Sequence, residues 1–116
     1  MPTVRDLGEV GLIKRLSRRL HRTAADRTGI GADAAVLRVA QRGQLLLAGD
    51  MLVEGVHFQR SSVPADSIGW KALACNVSDI AAMGGRPQAA VVSLGLPPGT
   101  PVRFVDGLYR GLEACA

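Results

Sequence analysis

QLLLAGDMLVEGV, residues 44–56, is a short apolar run that carries two carboxylates and is followed at once by His57 and Phe58. Its length, its leucines and valines and the glycines at 43 and 55 predict a strand. Burying an unpaired polar group costs roughly 2–7 kcal/mol, so folding alone does not select Asp50, Glu54 and His57 at the end of a buried strand. A ligand held there is the simplest reason for them.

Working outward, QRG at 41–43 is the turn of a hairpin whose first strand is GIGADAAVLRV, residues 29–39. Downstream, residues 62–87 predict a helix, with Asp66 or Ser67 capping its start and Gly84, Gly85 and Pro87 stopping it. On that helix Ala72, Asn76, Asp79 and Met83 share a face, beside an apolar stripe of Leu73, Val77 and Ile80. QAAVVSLGLP, residues 88–97, is a third strand. Thr100 as N-cap and Pro101 in the first turn then open a last helix, with Val105, Leu108 and Leu112 facing the core. At the other end, Leu7, Val10, Ile13, Leu16 and Leu20 recur every three or four residues and predict an amphipathic helix. The order helix, strand, strand, helix, strand, helix predicts an α+β fold, helices packed on a mostly antiparallel sheet. No stop signal precedes Ala116, so the expected architecture is incomplete at the C-terminus.

A length of 116 residues suits one domain, and 47% apolar with 21% charged residues excludes disordered and fibrous classes. With 3% aromatic residues and 14 glycines, the core must be Ala, Val, Leu and Ile with close backbone approaches. No apolar run is long enough to span a bilayer and the N-terminus lacks signal-peptide order, so a cytoplasmic protein without a membrane partner is expected. Cys75 and Cys115, far apart and outside any CxxC spacing, read as reduced packing residues. The charge is +4, and seven of the 14 basic residues lie before position 28. No aromatic residues interleave with them, so a solvated helix face is expected and no nucleic-acid partner.

Three carboxylates stand out: Asp33 at the start of the first strand, Asp50 near the end of the second and Asp79 within the helix that follows. Brought together they repel one another unless a cation or protons neutralise them. Oxygen donors without a thiolate or second imidazole favour magnesium, which bridges to phosphates, so a nucleotide is the natural co-ligand. Taken singly, Asp33 reads equally as a turn residue and Asp79 as the partner of a core donor. Glu54 shares a strand face with Asp50 and is either a ligand or an ion-pair partner for an arginine. His57 alone reads as a satisfied half-buried ring or a solvent-facing one after the Gly55 break. There is no GxxxxGK[ST] phosphate loop, and GIGADA at 29–34 matches GxGxx[GA] in the wrong context, after a helix and before a strand.

GEVGLIKRL, GIGADAAVL, DMLVEGVHF and GWKALACNVSDIAAMGGRPQAAVVSLGLP, in this order across nearly the whole chain, resemble thiamine-monophosphate kinases. That family sits in the superfamily of aminoimidazole ribonucleotide synthetase and selenophosphate synthetase. The resemblance implies an N-terminal domain of the aminoimidazole ribonucleotide synthetase type over residues 1–116, binding magnesium and ATP and forming a homodimer, with the family's C-terminal domain absent from these residues. It implies transfer of the γ-phosphoryl group of ATP to thiamine monophosphate. It also implies magnesium ligands at Asp33, Asp50, Asp79 and Gly49, the last through its backbone, and a substrate contact at His57. The family has a second aspartate where this chain has Ala32, and hydroxyl residues where it has Ala48 and Gly49. Its strand with a Gly-Gly-Asp motif falls beyond these residues. The alternatives are a sister enzyme such as the hydrogenase-maturation dehydratase, or a non-catalytic dimerising module that binds anions through its basic helix.

Overall fold

The computed structural model describes residues 1–20, 34–39 and 41–116. Its elements are three helices, α1 (Val4–Leu20), α2 (Ala65–Ala82) and α3 (Val102–Cys115). They fall into two compact units, one of Met1–Val39 with Val92–Val102 and the other of Ala40–Val91 with Arg103–Ala116.

The expected α+β architecture is not what forms. Among the described residues there is no strand and no antiparallel sheet, only the isolated bridges Thr3↔Pro101 and Glu54↔Phe58. Residues 29–33 of the expected hairpin's first strand lie outside the described residues; among those described no hairpin pairing forms, although residues 41–43 do bend and Gly43 takes a φ of 110°. The physical reason lies in what an apolar run encodes. It states that a segment gains by leaving water, but a strand also needs a neighbour's backbone groups along its whole length, and none lies alongside residues 44–53 or 88–97 among those described. Leu45, Leu47, Met51 and Val91 are exposed as a result, Leu47 at 89%.

In the first unit, the N-terminus of α1 is secured twice. Thr3 accepts from the Asp6 and Leu7 amides at 3.1 and 3.4 Å, and the Asp6 carboxylate accepts from the Thr3 N–H and hydroxyl, both at 2.8 Å. Half of a capping box is present, the Asp6 side chain reaching back to the Thr3 N–H, while the Thr3 hydroxyl donates to Asp6 instead of capping an amide; the Thr3 donors hold the Asp6 carboxyl below its usual value. The next amides, Val4 and Arg5, donate to the carbonyls of Thr100 and Pro98 at 2.8 and 2.9 Å. A distant loop thus satisfies donors that every helix leaves open. The same junction corrects the reading of Thr100: α3 starts at Val102, whose N–H donates to the Pro2 carbonyl, and the buried Thr100 hydroxyl has no partner among the described residues. A backbone carbonyl has taken the place expected for a side-chain cap.

Gly8 interrupts α1 with φ 66° and ψ 173°. One non-helical residue changes the rotational phase of everything after it, so the expected apolar face is only partly the buried one, Leu7 and Leu20 being half-buried and Ile13 exposed. Leu12 and Leu16 are buried, whereas Val10 is 65% exposed. A left-handed φ is one that glycine adopts without the Cβ penalty.

In the second unit, α2 and α3 cross with backbone against backbone. A Cβ on Gly69 would fall on the Leu108 carbonyl, one on Gly111 on the Asp66 carbonyl, and one on Gly107 would meet the Ala65 side chain at 2.6 Å. Glycine at 107 and 111 is one helical turn apart, on one face. Ile68, Val105, Leu108 and Tyr109 are buried, and Leu112 is half-buried, in agreement with the α3 face read from sequence. Helix α2 follows Pro64 with no side-chain cap; the Asp66 carboxylate instead accepts from Ser67 N–H at 2.9 Å. Its far end closes as expected at glycine. Gly84, at φ 71°, donates to Ala81 and Gly85 to Ile80, both at 2.9 Å, which is the Schellman pattern.

Inside a helix alanine is favoured over glycine by about 1 kcal/mol, but forcing atoms into a filled contact costs about 1–3 kcal/mol. The contact wins at positions 69 and 111, because a peptide carbonyl cannot rotate away. Gly69→Ala and Gly111→Ala are therefore expected to lower the melting temperature, while Gly95→Ala, with open space around it, should stay within about 0.5 kcal/mol. Urea melts of the three variants check this; a Gly111→Ala protein as stable as the parent would refute the crossing.

Candidate functional site at the His57 turn

The segment after Asp50 closes into a tight turn over residues 53–58. The Val53 carbonyl accepts from the amides of Val56 and His57 at 3.1 and 2.8 Å, and the Gly55 N–H donates to the Phe58 carbonyl at 2.8 Å. Gly55 supplies the left-handed residue, φ 84°, that lets the chain reverse. The Val53 N–H then donates to His57 Nδ1 at 2.9 Å. Both polar groups of Val53 are thus engaged with residue 57, and the imidazole is oriented by backbone.

This fixes what the ring offers. With Nδ1 accepting a hydrogen bond, the proton of the neutral ring sits on Nε2. His57 is exposed, so it presents an N–H donor outward rather than a base. Such a group suits a phosphate or carbonyl oxygen and does not suit nucleophilic attack.

Glu54 settles into the second of its two sequence readings. Its carboxylate faces Arg60, with Nε and Oε1 3.8 Å apart, and the Arg60 guanidinium lies over the Phe104 ring at 5.5 Å from the centroid. Asp50 lies exposed on the extended segment before the turn, Gly49 has open space around it, and Asp79 is exposed on α2. Asp33 lies outside the described residues, so the three-aspartate cluster falls partly outside them. Among the described residues no three histidine, cysteine or acidic side chains gather closely enough to hold a metal ion. Asn76 turns back on its own helix, donating from Nδ2 to the Ala72 carbonyl at 2.9 Å, and its buried Oδ1 has no partner among the described residues.

Two features escaped the sequence reading. The role of the Val53 backbone has no side-chain signal at all. The Arg60 contact with Phe104 joins residues 44 positions apart, though a cation beside a glutamate and a histidine turn was a usable hint. The structure's statement about His57 is open to measurement. In ¹H–¹⁵N spectra of the neutral ring, Nε2 should carry the proton and Nδ1 should show the shift of an acceptor. Gly55→Ala, which meets no atom within 4 Å but places a Cβ at positive φ at a cost of about 1–2 kcal/mol, should blur that distinction. A ring with the proton on Nδ1 would overturn the geometry.

Comparison with known proteins adds the family. The AIR synthase related protein N-terminal domain matches residues 31–116. The chain is 39% identical over 110 residues to a thiamine-monophosphate kinase of Synechococcus elongatus, covering 95% of this chain and 32% of that protein. It is 42% identical over 113 residues to the one from Aquifex aeolicus, covering 97% and 35%, and 44% identical over 113 residues to the one from Corynebacterium glutamicum, covering 97% and 33%. The chain thus spans about a third of the length of the curated relatives it matches. No solved structure gives a match. With a family match that runs from residue 31 through the His57 turn to Ala116, the chain belongs to the AIR synthase related proteins and carries their N-terminal domain.

Proposed function

We propose that this chain is the N-terminal portion of a thiamine-monophosphate kinase, which moves the γ-phosphoryl group of ATP onto thiamine monophosphate to give thiamine diphosphate. The observation that carries the reading is the outward Nε2–H of His57, a fixed donor for a phosphate oxygen, in a chain whose relatives bear that enzyme's name. In the transfer, a phosphate oxygen of thiamine monophosphate forms a bond to the γ-phosphorus as the bond to the β,γ-bridging oxygen breaks and ADP leaves. Such a step is served by positioning and charge neutralisation. His57 binds and orients the acceptor phosphate.

Magnesium fits the donor chemistry here: exposed carboxylates at Asp50 and Asp79, and a backbone carbonyl at Gly49 with open space around it. Those three, with Asp33, would hold it, and the ion would neutralise phosphate charge. Residues 1–116 then serve as the magnesium- and ATP-binding domain and as the homodimerisation domain, in the cytoplasm where ATP is made and spent. The exposure of several large apolar residues, Leu45, Leu47, Met51 and Val91, supports the dimer, since burying them against a second copy removes them from water.

Two measurements test this. Calorimetric titration with thiamine monophosphate in the presence of magnesium and a non-hydrolysable ATP analogue should give saturable binding. His57→Ala should weaken it by about 1.5–3 kcal/mol, the worth of a hydrogen bond to a charged group. Thiamine monophosphate binding no better than inorganic phosphate, or indifferent to His57→Ala, would sink the proposal. Separately, magnesium at ten times its dissociation constant should stabilise the chain by about 1.4 kcal/mol, compared with sodium at matched ionic strength to cancel screening. Asp50→Asn and Asp79→Asn should each remove that gain. Equal melting shifts in both salts would separate the aspartates from any metal.

A further inference from the structure

We infer that Arg60 is a positioning residue for substrate recognition, acting through the Glu54–Phe104 clamp that holds the His57 turn against α3. The inference rests on the reading of His57 as the substrate contact, and it adds a residue that touches neither substrate nor ion.

The turn that carries His57 is closed by short-range bonds between residues 53 and 58. Those bonds set its internal shape but tie it to nothing else. Arg60 supplies the external tie: its guanidinium sits 5.5 Å from the Phe104 centroid on α3 and 3.8 Å from the Glu54 carboxylate inside the turn. One cation therefore links the helix to the turn, lying over the ring and paired with the carboxylate. Phe104 is well placed as an anchor. It lies one residue before Val105, which is fully buried, and within a turn of Gly107, where α3 meets α2. The chain of contacts runs from the helix crossing through Phe104 and Arg60 to Glu54, which stands three residues from the imidazole.

Neither contact is strong, because both are partly exposed. A cation over an aromatic ring and a surface ion pair together correspond to an effect of roughly three- to twenty-fold. That suffices to hold a turn in place without holding the fold together, which is what separates a positioning residue from a structural one.

The test combines Arg60→Met, Arg60→Lys, Glu54→Gln, His57→Ala and the double variant Arg60→Met/His57→Ala in the 116-residue chain. Two readouts are taken: hydrogen exchange of the Val53 amide, and affinity for thiamine monophosphate with magnesium and the ATP analogue. Arg60→Met should speed Val53 exchange and weaken binding by the same factor, roughly three- to twenty-fold. Arg60→Lys, which keeps a cation over Phe104, should recover part of both, and Glu54→Gln should give a smaller change in the same direction. In the His57→Ala background, Arg60→Met should add nothing to the loss of binding. Unchanged Val53 exchange in both Arg60→Met and Glu54→Gln would overturn the inference, and so would additive binding losses, which mean that Arg60 meets the ligand itself. If Val53 exchange speeds up while neither His57→Ala nor Arg60→Met alters binding, the clamp stands and the substrate reading of His57 is what fails. Should Arg60→Met lower the melting temperature, the milder Glu54→Gln carries the same comparison.

Discussion

Where α2 and α3 cross, peptide meets peptide with no side chain between them, and much of the second unit follows from that contact. Gly69 and Gly111 remove the Cβ atoms that would hold the helices apart, so backbone lies directly against backbone where side chains ordinarily set the separation. Close approach compensates for a poverty of large residues. With few aromatic rings to fill space, dispersion contacts must come from backbone atoms lying against backbone atoms. The crossing also fixes the orientation of α3 about its own axis, which places Phe104 toward Arg60 and buries Val105, Leu108 and Tyr109. Burial in turn raises the Tyr109 phenol above its usual value.

The His57 turn depends on this frame but is built from different material. Its hydrogen bonds are local, its one unusual torsion belongs to Gly55, and its functional group is aimed by a main-chain amide. A donor aimed in this way loses little conformational freedom on binding, since the imidazole is ordered before a ligand arrives. The open cleft lined by Asp66, Ser67, Trp70 and Arg110 beside the helix crossing also holds a polar group by a main-chain amide, the Asp66 carboxylate on Ser67 N–H, and its indole is half exposed.

How much of this could be read from residues depended on how far each signal reaches along the chain. All three helices were legible, because a 3.6-residue period and a glycine stop are local facts. The C-terminus of α2 at Gly84 and the buried face of α3 came out as read. The buried face of α1 came out only in part, because Gly8 shifts its phase and nothing in the periodicity marks which glycine will do so. The strands failed for a deeper reason. Residues 44–56 and 88–97 have the composition of strands, but pairing is a relation between segments, and an apolar run describes only one of them. At the site, His57 and the ion-pair reading of Glu54 were visible as residue types. The ring's orientation was not, since it is set by the Val53 amide, which every non-proline residue possesses.

The N-terminus of α1 illustrates how a local element acquires a remote condition. Its first amides are satisfied by Pro98 and Thr100, and Val102 in return is satisfied by Pro2. During synthesis, residues 4–20 leave the ribosome long before their partners exist, and at about 5–20 residues per second the interval is on the order of ten seconds. For that time the first turn of the helix has its own Thr3–Asp6 lock. The self-contained cap therefore works as a holding device, keeping the first turn wound until residues 98–102 are made and the loop can close over it.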